Sequence, residues 1–120
     1  MGLDYTREKK DEETDLKLRI HQRGQIKRRV TLIDRSLVEA EDDATKMSLT
    51  LLKVFQKKLD VHYQEYTAVH QEMLEACPAS KFEEQDEMLM EFDSLHIEAL
   101  ERIELLSAKL RANTNRCSHP

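Results

Sequence analysis

The sequence predicts an all-α protein, an antiparallel bundle of three long helices with coiled-coil-like seams. Three observations carry this. The 120 residues hold only two glycines and two prolines, too few for the turns of an all-β domain or the strand-to-helix turns of a parallel α/β fold. Charged residues make up 36%, well above the usual quarter or so, with no tryptophan and 5% aromatics. Aliphatic side chains recur at intervals of three and four along most of the chain.

Residues 1–13 are polar and aperiodic and are expected to form a disordered lead-in. The bundle domain is expected over residues 14–112. Its first helix, about 14–41, has the seam Ile26, Val30, Ile33, Leu37 and Ala40. Leu16 and Ile20 lie upstream, but the register is read as slipping around Gly24, marking a kink, a close approach or the start of the packed helix.

The junction Glu41-Asp42-Asp43-Ala44-Thr45 has no glycine or proline. Asp42, Asp43 or Thr45 is suited to cap a new helix, although the first seam can also be extended through Ala44, Met47, Leu51 and Val54. A break is preferred over one continuous helix, because three consecutive acids suit a helix start.

The second helix, about 45–76, has the seam Leu52, Phe55, Leu59, His62, Tyr66, Val69, Met73 and Ala76. Pro78 ends it, because the residue before proline avoids the α region. Ser80-Lys81-Phe82-Glu83 then reads as a capping box. The third helix, about 81–112, follows with Phe82, Gln85, Leu89, Phe92, His96, Ala99, Ile103, Leu106 and Leu110. Residues 113–120 are expected to form a flexible tail.

Charge divides by helix. Residues 17–35 carry seven bases against one acid, a net of +6, and residues 83–104 carry nine acids against one base, a net of −8. The first expectation is that the two helices lie side by side and their fields select the pairing. The second is a nucleic-acid or partner surface at Arg23, Lys27, Arg28 and Arg29. The first helix lacks aromatics on which exposed bases could stack, and the chain's net charge of −5 does not favour general nucleic-acid affinity.

No nucleophile elbow, zinc-protease helix or phosphate loop is present, so a non-enzymatic protein without a cofactor is expected. His62 and His96 fall on facing seams, which raises a pH-sensitive or metal-binding pair; two ligands without a third make a poor zinc site. Met1-Gly2-Leu3-Asp4-Tyr5-Thr6 fits a loose N-terminal acylation pattern, short enough to arise by chance. The chain shows no signal peptide and no membrane-spanning run, so an intracellular location, cytoplasmic or nuclear, is expected, with Cys77 and Cys117 as thiols.

Arg23-Gly24-Gln25-Ile26-Lys27-Arg28-Arg29-Val30-Thr31-Leu32-Ile33 opens a further pattern. Leu52-x-x-Phe55-x-x-x-Leu59 and Tyr63-x-x-Tyr66 follow, then the Pro78 turn, Phe82-Glu83-Glu84 and a closing helix with Phe92. Together these resemble the helical N-terminal region of BEL/Pao-type LTR retrotransposon polyproteins, the Gag-like segment ahead of the protease, over about residues 20–110. Members of that family often carry tryptophan in the middle helix, where this chain has Phe55 or Tyr63. The resemblance implies a particle-assembly module, or a host-adopted gene derived from one, without catalysis. It assigns no functional residue. The expected function is therefore a helical protein–protein interaction and assembly module whose partner is another copy of itself. The alternative is a nucleic-acid-binding helical protein that uses the basic stripe.

Overall fold

The computed structural model describes the backbone of residues 2–117 and the side chains of residues 14–113. Three helices account for nearly all of it: α1, Gly2–Asp42; α2, Leu49–Ala76; and α3, Phe82–Cys117. Short 3₁₀ turns, Ala44–Lys46 and Ala79–Lys81, connect them. Each helix packs against the other two, giving an all-α three-helix bundle.

α1 begins earlier than expected. Residues 2–13, read from composition as a lead-in, continue the helix without a break. The segment is rich in Glu, Lys and Arg and has no interior glycine or proline, so a packed helix downstream spares it the cost of nucleation. α3 likewise runs on to Cys117, past the expected end at 112.

The core line of α1 also continues through Gly24. Arg23, Ile26, Val30, Ile33, Leu37 and Ala40 are all buried, at unbroken intervals of three and four. Ile20, by contrast, is half exposed. Gly24 is on the outer side of a continuous helix, and a Cβ built there would meet nothing within 4 Å. It marks neither a kink nor a close approach.

The break between α1 and α2 lies at residues 43–48. Asp43 leaves the helical region (φ −141°, ψ 92°), and its carboxylate accepts from the Thr45 amide at 3.2 Å. That bond caps the 3₁₀ turn. α2 itself is capped by Ser48, whose hydroxyl accepts from the Leu51 amide at 3.1 Å. The sequence-based candidates for this cap stop three residues short of Ser48.

At the other end Cys77 is extended (φ −92°, ψ 154°), as a residue before proline must be. Ser80 lies within the second 3₁₀ turn, so α3 starts as a continuation of that turn, without a side-chain cap at its head. Glu83 and Glu84 in its first turn complement the helix dipole.

Arg19 pairs with Glu72 and Arg23 with His70, so α1 and α2 are antiparallel. Lys27 pairs with Glu91 and Asp34 with Arg102, so α1 and α3 run in the same direction. The bundle measures 83 × 23 × 19 Å, with a radius of gyration of 20.1 Å. A compact chain of this length would have about 14 Å. α1, with 41 residues, is only about 61 Å long at 1.5 Å per residue, so the helices are staggered along the rod.

Candidate functional site

The core is built from the expected seams. Ile26, Val30, Ile33, Leu37, Leu52, Leu59, Phe92, Ile103 and Leu106 are buried, and Phe55, Val69 and Leu89 pack against them partly buried. Phe82, placed at the head of the third seam by its spacing, is 40% exposed. It precedes the point where α3 meets its neighbours.

Within this core lies a polar cluster. Arg23, nominated by its charge for a surface stripe, is only 5% exposed. Its Nη1 donates to Gln85 Oε1 at 2.6 Å and lies 3.3 Å from His70 Nδ1, while Nη2 lies 2.9 Å from Met88 Sδ. These partners come from both other helices, and none is a carboxylate. A guanidinium has no acceptor lone pair, so His70 must accept at Nδ1 and carry its proton on Nε2, which has no partner. Burial, and after it the neighbouring Arg23, hold the His70 pKa below its ordinary value, against the opposing pull of Asp86 and Asp93.

From His70 an aromatic stack runs along the α2–α3 seam. Tyr66 stacks on His70 at 6.3 Å between ring centres and lies flat on Phe92 at 3.7 Å. Tyr63 follows, 6.2 Å from Phe92 and 4.6 Å from His96. The Tyr66 hydroxyl donates to the Met88 carbonyl at 3.4 Å. A hydrogen bond to Asp93 raises the Tyr63 pKa, and burial lowers that of His96. Tyr66, Phe92 and His96 lie on the expected seams, whereas Tyr63 and the buried His70 lie beside the expected seam of the second helix.

His62 and His96 have separate surroundings. His62 faces Glu65, with Nδ1 3.4 Å from its carboxylate, and His96 belongs to the aromatic stack. Among the described residues no group of three His, Cys, Asp or Glu side chains is placed to hold a metal ion. The side chains of residues 1–6, Cys117 and His119 lie outside the described residues. Cys77 is a free, partly buried thiol.

The remaining nominated bases are on the surface, with different fates. Lys27 reaches Glu91 at 3.4 Å. Arg28 and Arg29 are exposed, as is Arg35, and none makes an ion pair among the described residues. The single acid of residues 17–35, Asp34, faces the single base of residues 83–104, Arg102, at 3.4 Å; Glu41 stands 3.9 Å from the same guanidinium. Burial raises the Asp34 pKa and Arg102 opposes the shift. α1 and α3 thus meet through opposite charges, as pairing by charge requires.

One surface feature has no counterpart in the seams. Met90, Ile97 and Leu105 are 68%, 53% and 70% exposed. Their intervals of seven and eight put them on one face of α3, within an arc of about 80°, opposite Phe92, Ala99 and Ile103. The broad apolar content of α3 hid this face, since spacing alone does not separate a second apolar face from a wide core stripe. A cavity of about 410 Å³ is an open groove between α1 and α2 lined by Gln22, Gln25, Ile26, Arg29, Glu65, Ala68 and Val69. Among the described residues no helix is long and apolar enough to cross a membrane. In comparisons with models of known protein families, with curated proteins and with solved structures, nothing matches this chain.

Proposed function

We propose that the protein is a non-enzymatic interaction and assembly module that associates with further copies of itself. The observation that carries this reading is the outward face of Met90, Ile97 and Leu105, which the core does not use. Exposed apolar side chains gathered on one solvent face, rather than scattered singly, point to a contact surface. The buried polar atoms of Arg23 and Gln85 are spent on holding three helices together. The resemblance of residues 20–110 to a Gag-like helical segment points the same way. Sedimentation velocity at tens of micromolar tests the proposal. Species heavier than the 14.1 kDa chain are expected, and a monomer at every concentration would end it.

A second reading, nucleic-acid binding, is favoured by the exposed Arg28, Arg29 and Arg35. It loses Arg23 to the core and shares Lys27 with Glu91. Binding to single-stranded RNA at low salt, weakening with the logarithm of salt concentration, would support it. Absence of binding at low salt would remove it.

A further inference from the structure

Two solvent faces of this rod complement each other, and they belong to different helices. On α3 the face of Met90, Ile97 and Leu105 is flanked by exposed acids, notably Glu98, Glu101 and Glu104, none of which forms an ion pair among the described residues. On α1 the outer side carries Arg28 and Arg35, likewise unpaired, with Leu18 and Leu32 exposed by 48% and 49%. The apolar anchors match in spacing. Leu18 and Leu32 are 14 residues apart, about 21 Å along a helix, and Met90 and Leu105 are 15 apart, about 22 Å.

Resting on the self-association reading above, we propose that a second copy of this chain docks the basic outer face of its α1 on the acidic, apolar outer face of α3. Charge decides the pairing. An α3–α3 contact would bring Glu98, Glu101 and Glu104 against the same acids, and an α1–α1 contact would oppose Arg28 and Arg35 to themselves. Only the mixed contact neutralises both faces while covering Leu18, Leu32, Met90, Ile97 and Leu105. In a three-helix bundle the outer faces of α1 and α3 diverge by a third of a turn, so one partner cannot cover both. The contact is head-to-tail, and each added copy leaves one face of each kind open. Such an interface builds rings or open chains rather than stopping at a dimer.

The test uses two charge-reversed full-length chains, R28E/R35E and E98K/E101K/E104K. All five positions are exposed, so circular dichroism and the thermal midpoint should match the parent chain. Sedimentation and light scattering then read assembly. The parent should grow beyond dimer with concentration and retreat in high salt. Each reversed chain alone should associate at least about tenfold more weakly. An equimolar mixture of the two should assemble again, because each supplies the face the other now needs. A third chain, Ile97→Ser with Leu105→Ser, should also lose assembly at an unchanged midpoint. If the reversed chains assemble like the parent, or their mixture does not recover, this pairing is overturned while self-association stands. A parent that stays monomeric up to millimolar concentration overturns both.

Discussion

Arg23 holds a guanidinium among neutral partners, and that makes it a sensitive position. Truncation strands Gln85 Oε1 and His70 Nδ1 in the core. Arg23→Ala should therefore cost about 3 kcal/mol in urea unfolding. Arg23→Met strands the same two acceptors but fills the space, so it should cost less than alanine without being neutral. Equal losses for the two variants would mean that the lost hydrogen bonds, and not the vacated volume, carry the cost. His70 and His96 give the fold a pH dependence of determined sign. Their ordinary value is 6.5, and burial holds both below it in the folded chain. The unfolded chain therefore binds more protons as pH falls, so stability is complete above about pH 6.5 and declines on acidification below it. Asp86 and Asp93 around His70, and Asp60 and Asp93 around His96, limit the decline without reversing it. The thermal midpoint should fall between pH 7 and pH 5, and a His70→Gln, His96→Gln chain should show a shallower fall.

At the scale of the helix, packing energy and propensity act at different positions. Leu59 is fully buried, so Leu59→Ala should cost about 2–5 kcal/mol by chemical denaturation, and Leu59→Asp should leave the chain unfolded by circular dichroism. Gly24 is the reverse case. It is exposed within a continuous helix with open space at its Cβ, so Gly24→Ala should stabilise by about 1 kcal/mol and raise the midpoint by a few degrees. The same division explains what the sequence made legible. Seams such as Leu52, Leu59, Tyr66 and Met73 repeat every seven residues, and helical geometry translates that repeat directly into burial. Pro78 acts through its own backbone, so the end of α2 is also local. Charge assigns Arg23 to the surface while spacing assigns it to the core, since residue 23 lies on the line of Ile26 and Val30, and in the folded chain spacing prevails. The start of α1 is not legible in composition, which describes an isolated segment, whereas a helix already nucleated by packing extends through any good helix former. The outward apolar face of α3 needed the positions of the neighbouring helices, which no single helix encodes.

For the whole molecule, the division of charge works with the bundle's topology. Exposed ion pairs such as Lys27 with Glu91 add little stability, and they match the basic flank of α1 to the acidic flank of α3. The Asp34–Arg102 pair fits the same scheme with its signs exchanged. The rod shape itself is open to measurement. Small-angle scattering from the charge-reversed chains, free of assembly, should give a radius of gyration near 20.1 Å, where a globular chain of this length would give about 14 Å. A globular value would mean that the long helices are broken and the rod is folded on itself. The parallel course of α1 and α3 has a mechanical consequence. The described chain enters the rod at one pole and leaves it at the other, so tension between the two ends runs along the helix axes. Such a load slides the helices past one another and strains all three seams together, whereas ends at a common pole would let the seams peel open one contact at a time. A load applied between the two ends therefore meets the bundle in shear rather than in peeling.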